Sequence, residues 1–284
     1  MQQDNSEIKS RYGQDKLLAE TVVLTRLDKA VGWARKYSLF PYPFATACCA
    51  MEYMEFTLFM LRWLHFLAGI TWIGILYYFN FVQTPFFAET EATVRTGAIQ
   101  KLVPRALWWF RWGAMFTFLA GISLYIAKMG EMGGAVFYSS PYGIIITVGG
   151  LLGTVMFLNV WLVIWPNQQI VIASANQVAS GGQALPTAAG AGRRAGLTSR
   201  TNTVFSIPML LYMGGAIHYQ QMVGQSGSRA FYWLLVIVII GAIECNALIG
   251  TQGPTKVPLD SVKGALWVGF LLAGILFLLT LALT

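Results

Sequence analysis

The feature that most constrains this chain is a series of six long apolar blocks after residue 55. Each block approaches or exceeds the ~20 residues that a helix needs to cross ~30 Å of hydrocarbon. The blocks are continuous, whereas strands of a membrane barrel alternate polar and apolar residues over ~10 positions. The sequence therefore predicts an all-α integral membrane bundle of about six transmembrane helices, with spans at about residues 56–84, 108–127, 142–165, 203–221, 231–250 and 265–283.

Composition excludes a water-soluble fold. Hydrophobic residues make up 56% of the chain and charged residues only 11%, against the ~25% charged residues of an average soluble protein. No signal peptide is recognised in residues 1–55, because a basic start followed by an apolar stretch and a small-residue cleavage site is missing. We therefore expect the first span to act as its own insertion signal, and the lipid bilayer to be the chain's main partner.

The distribution of basic residues predicts an orientation. We call the side of the membrane from which the first span starts the near side, and the opposite side the far side. The formal charge is +7, but residues 1–55 hold seven basic and seven acidic residues, so the excess lies in the membrane part. Three basic residues fall on the near side, at Arg62, Lys128 and Arg229, and nine on the far side, at Arg95, Lys101, Arg105, Arg111, Arg193, Arg194, Arg200, Lys256 and Lys263. The positive-inside rule then places the far side in the cytoplasm and both termini outside, and no nucleic-acid partner is expected.

The cysteines predict neither a disulfide framework nor a zinc site. Only Cys48, Cys49 and Cys245 are present, and no Cys-x-x-Cys-His sequence occurs. We therefore expect no covalently attached heme c.

The stretch before the first span resembles part of a soluble redox protein. Residues 22–54 read VVLTRLDKAVGWARKYSLFPYPFATACCAMEYM, which is similar to the start of the B subunit of bacterial NADH-quinone oxidoreductase. In that family the paired cysteines help to hold a four-iron cluster, and Cys48 and Cys49 match the pair. The two further ligands that the family needs are missing downstream, so no complete iron-sulfur site is expected. We interpret residues 1–55 as an N-terminal leader and residues 56–284 as the membrane domain.

The membrane domain resembles that of the cytochrome-c-linked bacterial urate oxidases. The matching stretches are RWLHFLAGITWIG at 62–74, WWFRWGAMFTFLAG at 108–121 and SRTNTVFSIPMLLYMGGAIHY at 199–219. The resemblance implies urate chemistry. Together with the orientation predicted above, we expect a multi-pass protein of the bacterial cytoplasmic (inner) membrane with both termini on the periplasmic side. The family's histidine-rich connection has no counterpart in residues 86–107, and its C-terminal cytochrome c domain is not found before Thr284. We therefore expect electrons to pass to a separate cytochrome c or to other membrane subunits.

Two alternatives to this oxidoreductase interpretation stay open. The first is a non-enzymatic membrane subunit or scaffold of a larger complex, which kept the fold and lost the chemistry. The second is a small-solute transporter, but the repeated broken helices of such proteins are not evident.

Only two histidines exist, His65 and His218, and both lie within predicted spans. Counting ~1.5 Å per residue places both in the near-side half of the bilayer. Two neutral imidazoles could ligate a heme b, glycines such as Gly69 could leave room for the macrocycle, and Arg62 could pair with a propionate. The alternatives are that each histidine forms a hydrogen bond between helices, or that it contacts substrate or another metal directly.

Tryptophans surround a basic residue at the far-side end of the second span. Arg111 lies beside Trp108, in the run WWFRW, while Trp72 follows His65 at i+7. A snorkelling arginine in an interfacial aromatic belt would explain the run without function. Alternatively, Trp72, Trp108 and Arg111 are possible ligand contacts, with Arg111 holding an anion. The stretch 167–200, rich in alanine, glycine and serine, is predicted to be a mobile connection.

Overall fold

The structure, a computed structural model, describes residues 43–224 and 227–284, with side chains from Tyr53 onward. Every regular element within those residues is helical, which confirms the all-α class. Two π-helical turns, Tyr78–Gln83 and Asn159–Ile164, interrupt the helices, and 3-10 turns cover Gln220–Met222 and Pro254–Asp260. The α-helices are α1 Pro43–Tyr77, α2 Thr84–Glu89, α3 Ala92–Lys101, α4 Val103–Met132, α5 Gly134–Ser139, α6 Pro141–Leu158, α7 Trp165–Ala179, α8 Ala188–His218, α9 Arg229–Leu248 and α10 Val262–Leu283.

Five of the six predicted spans coincide with helical stretches of membrane-crossing length and hydropathy. Within the described residues these stretches are Tyr53–Glu89, Val103–Met132, Pro141–Ala179, Arg229–Leu248 and Val262–Leu283. Apolar chain in a bilayer must satisfy its backbone hydrogen bonds internally, so each long block becomes a helix. The protein is therefore a multi-pass membrane protein that resides in a lipid bilayer.

Most of the remaining predicted span, 203–221, lies in α8, which ends at His218 and is not among those five stretches. Its mean hydropathy is low because serine, threonine, asparagine and arginine fill the middle of the helix. Helices α6, α7, α9 and α10 pack around α8, and residues 198–206 are all buried except Ser199. A helix that neighbours shield from lipid can carry polar residues without exposing them to hydrocarbon.

Glycines allow two helix pairs to approach closely. A Cβ atom at Gly113 of α4 would lie 3.1 Å from the backbone nitrogen of Trp72 in α1. A Cβ atom at Gly149 of α6 would lie 3.3 Å from the backbone nitrogen of Met213 in α8. Small residues at these positions are typical of membrane helix interfaces, where packing replaces the hydrophobic effect.

The prediction of a mobile connection across 167–200 is wrong. Helix α7 continues to Ala179 and α8 begins at Ala188, so only a short turn separates them. In that turn Gly181 has a φ of 86°, and the backbone nitrogen of Leu185 donates to Ser174 Oγ at 3.0 Å. The abundant alanines of this stretch are strong helix formers, which explains why it is helical.

The contacts of the chain make Phe59–Thr284 one compact unit, the second of two that divide after Leu58. The second unit contains the apolar core, which draws residues from the long helices α1, α4, α6, α8, α9 and α10. The side chains of Cys48 and Cys49 lie outside the described residues, as does most of the predicted leader. The predicted division at residue 55 stays a prediction.

Candidate functional site in the polar centre of the bundle

The centre of α8 carries a buried polar segment. Arg200 is only 8% exposed, and Asn202 and Ser206 are fully buried. Polar and ionisable groups inside a membrane bundle are rare and mark function by default, since each must be satisfied by a partner. The partners of this segment come from the two π-helical turns, from α1 and α6, and from the 3-10 turn Pro254–Asp260.

Arg200 is held by neutral groups. Its Nε donates to Asn80 Oδ1 at 2.8 Å, and its Nη1 donates to the carbonyl oxygen of Leu259 at 3.4 Å. Asn80 in turn donates from Nδ2 to Ser199 Oγ at 2.9 Å and to the carbonyl oxygen of Leu76 at 2.8 Å. Within the described part of the chain Arg200 forms no ion pair. The guanidinium therefore keeps a net positive charge inside the bundle.

A second network joins Asn202 to a carboxylate. Asn159 Nδ2 lies 2.9 Å from Asn202 Oδ1 and 2.9 Å from Glu244 Oε2. Asn202 Nδ2 donates to the carbonyl oxygen of Met156 at 3.0 Å. The carboxylate of Glu244 is half-buried and bound to Asn159. The Glu244 carboxylate is thus bound to the Asn159 amide, which is itself bound to the Asn202 amide.

Two similar structural elements supply asparagines to this centre. Each is a π-helical turn that contains a buried asparagine, Asn80 in one and Asn159 in the other. A proline, Pro85 or Pro166, follows each turn near the start of the next helix. Because proline has no N–H, it cannot donate to the preceding turn of the helix. Such π-helical segments occur frequently at functional sites.

At the near-side end of the bundle a tyrosine pair forms a separate polar group. Tyr212, Tyr232 and Thr280 are fully buried. Thr280 Oγ1 donates to the carbonyl oxygen of Leu276 at 2.8 Å, which leaves it as an acceptor for both phenols. All three hydroxyls are satisfied, so this group stabilises the contact of α8, α9 and α10.

The structure places His65 against α4. Its Nδ1 lies 2.9 Å from the carbonyl oxygen of Thr117. Because a carbonyl can only accept, Nδ1 must carry the proton, and Nε2 is then free to accept or to ligate. Gly121 makes room for the ring, since a Cβ atom there would lie 2.9 Å from His65 Cε1. A Cβ atom at Gly69 would lie 3.7 Å from Thr117 Cγ2, so Thr117 also packs against this glycine.

His218 is the last residue of α8 and is exposed. Among residues 43–224 and 227–284 no hydrogen bond or ring contact joins it to His65. Arg62 is exposed one turn before His65 on α1 and forms no ion pair with the described residues. The predicted pairing of the two histidines stays a prediction.

The aromatic partners of Arg111 differ from those expected. Its guanidinium carbon lies 3.8 Å from the ring centre of Trp165 and 5.4 Å from that of Trp161, which belong to α7 and to the π-turn before it. Trp108 is 48% exposed, and Trp72 is buried with no partner for its Nε1 among the described residues. The structure therefore joins Arg111 to tryptophans of another helix and gives no contact between Arg111 and Trp72.

Sequence reasoning missed Asn80, Arg200 and Asn202 as a centre. Asn80 lies inside the first predicted span and Arg200 just before the fourth, and either could have been flagged as an intramembrane polar residue. Within the described residues no group of three or more histidine, cysteine, aspartate or glutamate side chains could hold a metal ion.

A known protein family matches the segment that contains most of this centre. Residues 129–256 match the urate oxidase N-terminal family. The match covers less than half of the chain. It includes Asn159, Arg200, Asn202 and Glu244, but neither Asn80 nor His65. The resemblance to a urate oxidase membrane domain is thereby confirmed.

A separate set of matches concerns the B subunit of NADH-quinone oxidoreductase. The chain is 67% identical over 30 residues to the protein from Pelobacter propionicus, covering 11% of this chain and 18% of that protein. It is 75% identical over 29 residues to the protein from Myxococcus xanthus, covering 10% of this chain and 16% of that protein. It is 52% identical over 42 residues to the protein from Aliarcobacter butzleri, covering 15% of this chain and 25% of that protein. The chain therefore spans a quarter or less of these relatives, and no solved structure matches it.

Proposed function

We propose that this chain is an integral membrane redox protein, similar to the membrane domain of urate oxidases, that passes electrons to a separate cytochrome c. The observation that carries the proposal is the family match over 129–256, which encloses the Asn159, Arg200, Asn202 and Glu244 centre. Charged and polar side chains are costly to bury in a membrane bundle, so a cluster of them is a candidate functional site.

The polar centre has the groups that a small polar anion requires. Arg200 supplies a positive charge that forms no direct ion pair within the described residues, and the amides of Asn80, Asn159 and Asn202 supply donors and acceptors. Glu244 supplies a carboxylate that can take up a proton released during oxidation. Urate, a planar oxo-purine, is the substrate class that the family match favours.

His65 would hold the iron of a heme b through Nε2. Its Nδ1 bond to the Thr117 carbonyl oxygen fixes the ring and the tautomer, which is the arrangement that ligating histidines commonly adopt. A heme b would supply a one-electron carrier between substrate and cytochrome c. We propose His218 as the second ligand and Arg62 as the propionate partner, both on the strength of their positions in the sequence.

A difference spectrum tests this proposal. Full-length protein, purified in mild detergent, is expected to show b-type bands in the dithionite-reduced minus air-oxidised spectrum. Colourless protein that is folded and full length would favour the alternative, a non-enzymatic membrane subunit.

We also propose that the chain lies in the bacterial inner membrane with both termini in the periplasm. Exposed basic residues at one end of the bundle, including Arg95 and Arg105, support this orientation. A cysteine added after Thr284 should react with a membrane-impermeant maleimide in intact cells, and a cysteine replacing Gly190 should react only after lysis. Both changes would be made in a variant that lacks the native cysteines, and the opposite pattern would reverse the orientation.

A further inference from the structure

The edge of the bundle near Arg111 holds a cation without a partner in the described part of the chain. Within those residues the Arg111 side chain forms no ion pair and no hydrogen bond, and its Nε is buried without an acceptor. A guanidinium has five N–H donors and retains its charge in every protein setting. Hydrocarbon cannot satisfy those donors, so in a bilayer they need an oxygen-bearing partner that the described residues do not supply.

The neighbouring tryptophans fix how that group can approach. The guanidinium lies 3.8 Å from the ring centre of Trp165, so one of its faces is covered. An arginine stacked in this way presents its N–H groups along its edge, in the fork that matches two oxygens of a phosphate. Trp161, whose ring centre lies 5.4 Å away, has a buried Nε1 that is also without a partner among the described residues. Arg111 and Trp161 are therefore neighbours that each have a donor without a partner in the described part of the chain.

The position of Arg111 along α4 favours a lipid headgroup as the ligand. Arg111 lies about 12 Å from Val103, where α4 begins, at 1.5 Å per residue. Long side chains on a helix point toward its N-terminus, so Arg111 reaches toward the far-side surface. Trp108 and Trp109 on the same turn are 48% and 58% exposed, as in an interfacial aromatic belt. The exposed Arg105 adds positive charge at this end.

We infer that Arg111 and Trp161 bind the phosphate of a membrane phospholipid on the far side, while Trp165 holds the guanidinium plane. The positive charge of Arg111, its paired N–H donors and its position near the far-side surface of the membrane all fit a phosphodiester. This site lies outside the polar centre beside α8 and does not rest on the proposed redox function.

The test measures lipid binding to the full-length protein after delipidation in detergent. Native mass spectrometry would compare dioleoylphosphatidylglycerol with dioleoylglycerol, which has the same tails and no phosphate, and with inorganic phosphate. The phospholipid is expected to bind at least about tenfold more tightly than dioleoylglycerol, which lacks the charge-assisted pair, and than inorganic phosphate, which lacks the apolar tails. Inorganic phosphate that binds as tightly as the phospholipid would overturn the lipid assignment.

Variants then localise the site. Arg111→Gln is expected to weaken phosphatidylglycerol binding about tenfold, and Trp161→Phe, which removes one N–H and keeps an aromatic ring, about threefold. Arg105→Gln makes the same charge change on the same helix, away from Trp161 and Trp165, and should alter binding less than about twofold. If Arg111→Gln fails to fold, Trp161→Phe still decides the matter. Wild-type affinity in Trp161→Phe and in any folded Arg111→Gln, or equal losses in Arg105→Gln and Arg111→Gln, would refute the inference.

Discussion

His65→Ala is expected to abolish the b-type absorbance bands of the purified protein, and His218→Ala is expected to do the same. A six-coordinate heme held by two imidazoles loses its characteristic spectrum when either nitrogen is removed. For His65 the structure supplies the supporting geometry, because the Thr117 carbonyl oxygen fixes Nδ1 and leaves Nε2 for iron. The measurement is the reduced-minus-oxidised spectrum, together with heme content per polypeptide.

Ser123→Ala is the matched control for this experiment. Ser123 lies on α4 and donates to the carbonyl oxygen of Leu119 in its own helix, so its loss should leave the bands unchanged. Bands that survive in both histidine variants would show that neither histidine is a ligand. Loss of the bands in His65→Ala alone would keep one ligand and remove the proposed pair.

Asn80→Leu is expected to lower the free energy of unfolding by about 2 kcal/mol, because it leaves the Arg200 Nε without its acceptor. The same substitution removes the bond from Asn80 Nδ2 to Ser199 Oγ. Hydrogen bonds to charged groups are worth more than neutral ones, and an unsatisfied buried guanidinium is costly. Thermal or denaturant unfolding in detergent, followed by circular dichroism, would measure the loss.

Two further variants separate this effect from a general effect of leucine. Asn176→Leu makes the same change at an exposed position of α7 and should alter stability by less than about 0.5 kcal/mol. The double variant Asn80→Leu with Arg200→Met removes both the acceptor and the charge, so it should be more stable than Asn80→Leu alone. An equal or larger loss in the double variant would mean that Asn80 does not act through Arg200.

The helices of this chain can be predicted because lipid leaves few alternatives. The blocks at 231–250 and 265–283 correspond to Arg229–Leu248 and Val262–Leu283, with ends that differ by a few residues. Helix α8 is harder to predict, because its neighbours permit a polar sequence and its hydropathy is low for that reason. The stretch after Asn167 is wrongly predicted to be a mobile connection, because small residues are common in flexible linkers while alanine also favours helices.

The candidate site can be predicted less well than the fold. His65 and Arg111 stand out as unusual residues in apolar spans, but the sequence does not reveal their partners Thr117, Trp161 and Trp165. These contacts depend on which faces of neighbouring helices meet, and the π-helical turn Asn159–Ile164 shifts those faces in a way that no simple period reveals. The bond between Asn80 and Arg200 joins residues 120 positions apart, so only the folded bundle brings them together.

The most direct test of the central claim is an assay of electron transfer by purified full-length protein in detergent or nanodiscs. Urate and oxidised cytochrome c would be added, and urate loss and cytochrome c reduction would be followed together in a spectrophotometer. If the chain is a redox protein of the urate oxidase kind, both signals should change at linked rates that scale with protein concentration, and Arg200→Met should slow them. If folded, heme-bearing protein leaves urate and cytochrome c unchanged, the proposed electron transfer from urate to cytochrome c is contradicted.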